Sequence, residues 1–212
     1  MRTQKISSTV TMIQISPLDS NMYLINNGAL LIDTTTGHHT ALIKKALNTL
    51  NLDFDGISCI INTHTHIDHI GGNHLFKNAK IMMHESAKTT LDDPTLKNTF
   101  AKYFNTTLKN SEIHIPLRDR DTIRARGTKL EIIHTPGHSP DSISLYMPDQ
   151  KYLFTGDAIS VRPDKKLSAH IKNRETPKET LEKLNILDIN MILPGHGKII
   201  NNKEQIKELL GN

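Results

Sequence analysis

Apolar residues fall in short runs separated by polar loops, and the spacing within each run predicts its element. Val10–Ser16, Met22–Ile25 and Ala29–Asp33 read as an antiparallel meander, with Asn26-Asn27-Gly28 as the turn between the last two strands. From Thr40 to Leu50, apolar residues at 42, 43, 46, 47 and 50 follow the period of an amphipathic helix. Ile57–Asn62 is β-branched and continuous, as in a buried strand, and Ile81–Met83 is a second short strand. The stretch from there to about Lys109 reads as helical. Further strands are predicted at Glu112–Ile115, Thr122–Arg126, Lys129–His134, Ser142–Met147, Lys151–Gly156 and Asn190–Gly195. A helix over Pro177–Leu187 has proline in its first turn and Thr176 placed to cap it, and Lys203–Leu210 reads as a closing helix.

Strands interleaved with helices over 212 residues, 36% of them hydrophobic, suit a single α/β domain spanning 1–212. No run reaches the roughly 18 apolar residues of a membrane span. Met1–Ser8 carries charge without an apolar core, so no secretory signal is expected. Cys59, the only cysteine, cannot form an internal disulfide and is expected to be a buried, inert thiol, which suits a reducing cytoplasm.

Several strands run into loops that end in metal-binding residue types. The strand ending at Asn62 leads into His64-Thr65-His66-Ile67-Asp68-His69. Lys129–His134 leads through Thr135-Pro136-Gly137 to His138, Lys151–Gly156 ends at Asp157, and Asn190–Gly195 ends at His196. Histidines at i and i+2 need extended or loop backbone, unlike the i, i+4 pair of a helical zinc motif. Gly71 and Gly72 follow, and residues without a Cβ suit a crowded site. Imidazole and carboxylate together accept zinc, iron or manganese. The set divides into His64, His66 and His138 for a first ion and Asp68, His69 and His196 for a second, with Asp157 bridging. Ions about 3.5–4 Å apart share a hydroxide whose pKa falls towards about 7, so no serine or cysteine nucleophile is needed.

Asp33 after Ala29-Leu30-Leu31-Ile32, the His64–His69 run, His138 in HTPGHS, Asp157 in FTGDA and His196 in PGHG resemble the motifs of the metallo-β-lactamase superfamily. The resemblance implies an αβ/βα four-layer sandwich, two mixed sheets with helices outside and the metal site at one edge. It also implies that Asp33 orients the metal loop from behind the ligands. The best-known β-lactamase branch has cysteine where Asp157 stands, which disfavours penicillin hydrolysis. Flavodiiron proteins have glutamate in place of the second histidine, here His66. What remains resembles the glyoxalase II-like branch and the lactonases: hydrolases of esters, thioesters or lactones with two divalent ions, zinc foremost, and Asp68 orienting the attacking hydroxide. The glutathione-binding helical domain of that branch would follow the last ligand, and the chain ends at Asn212, soon after His196, so a glutathione thioester is disfavoured. Two other classes share the motifs: a mononuclear iron persulfide dioxygenase using His64, His138 and Asp157, and a nucleotide or nucleic-acid phosphodiesterase.

The net charge of +4 supports the last only weakly, because Lys and Arg are scattered without interleaved aromatics. The exception is the basic stretch 162–174, where Arg162, Lys166 and His170 are candidates to contact an anionic group on a small-molecule substrate. His38, His39, His74, His84, His114 and His134 read as surface or packing residues.

Overall fold

The computed structural model describes residues 1–110, 112–161, 167, 168, 178–201 and 204. The chain divides into two compact units, Met1–Pro116 and Leu117–Asn212. Each is built on a mixed sheet.

The first sheet has seven strands in sequence order: β1 (Arg2–Lys5), β2 (Val10–Gln14), β3 (Met22–Ile25), β4 (Leu30–Ile32), β5 (Cys59–Ile61), β6 (Lys80–His84) and β7 (Ile115–Leu117). β1 to β4 pair antiparallel, whereas β4–β5 and β5–β6 pair parallel. A parallel neighbour needs a crossover connection, and α1 (Thr40–Asn48) supplies the one between β4 and β5. Its buried positions Ile43, Ala46 and Leu47 join a core with Ile13, Met22, Leu24, Leu31, Ile60 and Phe76. The register pairs Ile32 with Ile61, so the chain leaves β4 and β5 side by side at the same edge. Asp33 and the 64–69 loop begin there, and α2 (Ile67–Ile70) follows.

The second sheet runs in the order β14-β11-β10-β9-β8, from β8 (Thr122–Ala125), β9 (Thr128–His134), β10 (Ile143–Met147), β11 (Tyr152–Gly156) and β14 (Met191–Pro194). β10 is antiparallel to both β9 and β11, and β14 is parallel to β11. The carboxyl ends of β9, β11 and β14 therefore lie at one edge, where His138, Asp157 and His196 follow them. α4 (Lys178–Asn185) contributes Leu181 and Leu184 to a core with Tyr146, Leu153, Ile189 and Ile192. A short ribbon of β12 (Ser160–Val161) and β13 (Leu167–Ser168) completes the described strands.

The predicted meander, α1 and the strands before each ligand loop are present, and both sheets are mixed as expected. Three elements differ. β1 carries no apolar alternation: Arg-Thr-Gln-Lys is an edge strand held through its ladder with β2 (Arg2 opposite Gln14, Lys5 opposite Thr11). The stretch after β6 holds only α3 (Ala87–Leu91) and a 3-10 turn at Lys97–Thr99. Pro94 and the left-handed backbone at Leu96 and Phe100 break any longer helix. The strand expected at Glu112–Ile115 lies at Ile115–Leu117. Cys59 is half-buried rather than buried, because it opens β5 opposite the exposed Lys80. Thr176, Pro177 and the closing helix at 203–210, apart from residue 204, lie outside the described residues, as do Arg162, Lys166 and His170. Among the described residues no helix is long and apolar enough to cross a membrane.

Gly71 and Gly72 have ordinary negative φ, −60° and −81°, so space rather than conformation requires them. A Cβ on Gly71 would meet the Thr36 carbonyl oxygen at 2.4 Å, and one on Gly72 would meet that of Thr34 at 2.1 Å. They let α2 pack backbone-to-backbone on the loop after β4. Gly72→Ala is expected to destabilise the protein by roughly 3 kcal/mol, since rigid backbone on both sides has to move. Gly56→Ala, with its nearest neighbour at 3.4 Å, should leave the urea midpoint almost unchanged. Equal midpoints for the two variants would contradict this packing.

Candidate metal centre

In the first unit the metal-liking side chains gather on one short turn. His64, His66, Asp68 and His69 are all buried. The His64 ring lies 4.4 Å from that of His66 and 4.1 Å from that of His69, centroid to centroid, and His69 Nε2 is 3.8 Å from Asp68 Oδ2. Packed this closely, the four side chains present their donor atoms to a common region.

Asp33 sits behind them, 1% exposed, with φ +58°, a left-handed conformation that aspartate tolerates better than most residues. One oxygen, Oδ1, accepts the Thr63 backbone N–H at 2.8 Å. The other, Oδ2, accepts from the Thr63 hydroxyl at 2.9 Å and from His69 Nδ1 at 2.8 Å. A carboxylate can only accept, so the His69 proton is on Nδ1 and Nε2 keeps its lone pair for a cation. Thr63 extends the same logic. Its single hydroxyl hydrogen goes to Asp33, so its oxygen accepts from His64 Nδ1 at 3.1 Å and leaves the His64 Nε2 lone pair for a cation. In the sequence Thr63 goes unmarked, because an uncharged residue before His64 carries no signal of its own.

A second network fixes the backbone of the turn. The His69 carbonyl accepts from Thr34 N at 2.8 Å and Asn62 Nδ2 at 2.9 Å. Asn73 closes the set, donating to Asn62 Oδ1 at 2.9 Å and accepting from Thr34 Oγ1 at 2.8 Å. The phenol of nearby Tyr23 is pushed far above its usual range by burial; a hydrogen bond with Asn21 works against this, and the Asp33 charge adds to it. It stays a neutral hydroxyl.

In the second unit Asp157 stands between two histidines. His138 Nε2 is 3.6 Å from Asp157 Oδ2, and His196 Nε2 is 3.6 Å from Asp157 Oδ1. These distances exceed hydrogen-bond length but lie near the roughly 3.4 Å that separates an imidazole nitrogen from a carboxylate oxygen when both ligate one ion at about 2.0–2.2 Å in tetrahedral geometry. Left-handed Gly156 (φ +49°) turns the chain into Asp157, and Gly195 N donates to Gly156 O at 2.6 Å, tying the Asp157 loop to the His196 loop. The histidine and aspartate clusters of both units are thus consistent with metal ions in donor chemistry and spacing.

The turn that carries His138 is clamped from outside. Thr180 of α4 donates to Pro136 O at 3.0 Å, and Lys183 of α4 donates to His134 O at 3.2 Å and to Asp119 Oδ2 at 3.1 Å. Asp119 Oδ1 accepts His134 N at 2.7 Å, and His134 Nε2 donates to Pro140 O at 2.9 Å. His134 therefore serves the turn. His74 and His84 are likewise engaged locally, with Gly71 O and Ser86 Oγ.

Two measurements follow from this geometry. Asp33→Asn keeps a residue that tolerates positive φ but removes the charge facing His69; metal affinity is expected to fall about 10- to 100-fold in competition with a chelator, with folding retained. An unchanged affinity would show that Asp33 does not tune the ligands. For Asp119, partial burial works to raise the carboxyl, but the hydrogen bonds from His134 N and Lys183 and the Lys183 charge outweigh it and hold the group below its ordinary 3.8. Its stabilising effect is full above 3.8 and is lost as pH falls through the lower folded-state value. The stability gap between wild type and Asp119→Asn should therefore be constant from pH 7 to 5 and close below about pH 4 in urea titrations.

A metallo-beta-lactamase superfamily model matches residues 15–196. The chain is 32% identical over 174 residues to a protein of Methanocaldococcus jannaschii named probable metallo-hydrolase MJ0296, covering 81% of this chain and 72% of that one. It is 27% identical over 192 residues to an atrochrysone carboxyl ACP thioesterase of Aspergillus fumigatus, covering 88% of this chain but only about half, 53%, of the thioesterase. The crystal structure of a metallo-beta-lactamase family protein from Thermus thermophilus superposes with a TM-score of 0.71 at 25% identity, covering 95% of this chain and 77% of that one. The sequence resemblance, the two mixed sheets and these matches agree: the chain belongs to the metallo-beta-lactamase superfamily and has its fold.

Proposed function

We propose that the chain is a metal-dependent hydrolase of ester, thioester or lactone bonds, of the glyoxalase II-like kind, in which residues 1–212 act as one domain. Two divalent cations, zinc foremost, would be held by seven side chains: His64, His66 and His138 for one, Asp68, His69 and His196 for the other, with Asp157 available to both. The observation that carries this reading is the position of Asp157, which offers a different oxygen to each of two histidines at 3.6 Å, as a carboxylate shared between two cations does. The donor set fits as well. Imidazoles and carboxylates without thiolate resemble catalytic rather than closed structural zinc sites. The names of the archaeal and fungal relatives, a probable metallo-hydrolase and a thioesterase, support the reaction class.

When bound, such cations polarise the carbonyl under attack and lower the pKa of water towards about 7. The chain's own residues do the rest. Asp68, 7% exposed, orients the attacking water. Asp33 and Thr63 hold His69 and His64 in the tautomers that ligate. Burial of His64, His69 and Asp33 excludes bulk water from the ligand loop. Arg162, Lys166 and His170 are proposed to meet an anionic group on the substrate.

Metal analysis followed by a panel of thioesters, lactones and phosphodiesters tests the reading. Two zinc ions per chain, loss of thioester or lactone hydrolysis on chelation and its return with zinc are expected. Asp68→Ala should lower kcat about 10²- to 10⁴-fold. One iron per chain with oxygen uptake on a persulfide would replace hydrolysis with oxygenation, and turnover of phosphodiesters alone would move the substrate class.

A further inference from the structure

The chain has nine aromatic residues, five Phe and four Tyr, with no Trp. Tyr23, Phe76, Tyr146 and Phe154 are buried, and Phe54 packs on the core around α1. Three of the remaining four, Phe100, Tyr103 and Phe104, fall within five positions on a surface turn between α3 and β7. Core packing does not explain them. Tyr103 is 82% exposed, among the most exposed large hydrophobic side chains.

The turn holds Phe100 beside the 64–69 loop. The Phe100 ring stands edge-to-face against the His66 imidazole, with centroids 4.7 Å apart and planes at 87°. Tyr103 N and Phe104 N both donate to Phe100 O, at 2.9 and 3.4 Å, which closes one helical turn. Both bonds converge on Phe100 O, so Tyr103 and Phe104 stand within one turn of Phe100. The Tyr103 and Phe104 rings meet at 5.3 Å and 77°. Thr99, fully buried, pins the start of the turn: its hydroxyl donates to Leu96 O at 2.7 Å and accepts Ala101 N at 3.3 Å. Leu96 and Phe100 both adopt left-handed backbone, φ +48° and +59°, a strained choice for bulky residues that the fold maintains where Phe100 meets a candidate ligand.

We propose that Phe100, Tyr103 and Phe104 are a ledge that selects substrates by an apolar acyl group, extending from the carbonyl at His66 along the three rings. The inference rests on the hydrolase reading for its reaction and on the turn's own geometry for its specificity. A carbonyl substituent leaving His66 on this side meets ring carbon instead of water, and each methylene laid on such a surface strengthens binding by roughly two- to fourfold. Lys102, on the same turn, is exposed and offers its charge to solvent. The selected substrate class is accordingly a thioester or ester with a medium-length or aromatic acyl group, in preference to acetyl.

Two series test this. The first measures kcat/KM for the acetyl, butyryl, hexanoyl and octanoyl thioesters of N-acetylcysteamine. The octanoyl-to-acetyl ratio should be at least tenfold in the wild type, carried by KM, and should collapse towards one in Phe100→Ala and Tyr103→Ala. The second follows binding of the non-hydrolysable S-octyl and S-methyl thioethers of N-acetylcysteamine by tyrosine emission, in protein with and without metal. S-octyl should bind at least tenfold more tightly than S-methyl in both forms. Tyr103→Phe should keep that preference while losing most of the change in emission, and Tyr103→Ala should lose the preference itself. Because Tyr103 is exposed, its variants report even where Phe100→Ala fails to fold. Hydrolysis of all four thioesters with no length dependence would overturn the ledge and leave the hydrolase reading intact. Tighter S-octyl binding with no thioester hydrolysed would leave the ledge standing and overturn that reading instead.

Discussion

A single buried carboxylate organises the ligand loop. Asp33 emerges from β4 at the point where parallel pairing brings the end of β5 alongside, and its two oxygens take the Thr63 backbone N–H, the Thr63 hydroxyl and the His69 ring N–H. Each of those bonds fixes something further along. The backbone bond sets where the loop departs from the sheet. The hydroxyl bond leaves the Thr63 oxygen to receive His64. The ring bond sets which nitrogen of His69 can bind a cation. A buried carboxylate without such partners would be strongly unfavourable, so the same contacts that orient the ligands are what permit Asp33 to be there.

Both units solve the positioning problem with the same device. Their candidate ligands follow the carboxyl ends of strands that run in one direction, where loops are free to vary while the sheet holds their origins. In the first unit the loops are locked by direct backbone approach, through Gly71 and Gly72 against residues 34–36, and by the Asn62–Asn73 amide pair. In the second they are locked by α4, whose Thr180 and Lys183 hold the turn before His138. The second device depends on a charged pair at the surface and the first on packed backbone.

The candidate ligands are legible in the sequence because histidine and aspartate announce their chemistry at fixed spacing, and the strands before them because β-branched runs have few other uses. Asp33 is reachable only through the family resemblance. Thr63, Asn62, Thr34 and Asn73 are not reachable at all: each is an ordinary polar residue whose role appears only when parallel pairing brings segments 11, 30 or 39 positions apart within hydrogen-bond reach. β1 gives no signal because its order comes from its neighbour's ladder rather than from its own side chains. The stretch after β6 reads as helix on composition, while Pro94 and two left-handed residues decide otherwise. The aromatic ledge lies inside that same stretch, where three rings in five positions have no periodic pattern to mark them.

The hydrolytic reading stands on Asp157 being shared between two cations. Anomalous diffraction at the zinc edge, from crystals grown with zinc, probes that sharing without any assumption about the substrate. Two peaks about 3.5–4 Å apart, with one Asp157 oxygen on each, are expected. A single peak, or a pair that leaves Asp157 outside the coordination of either, would contradict it.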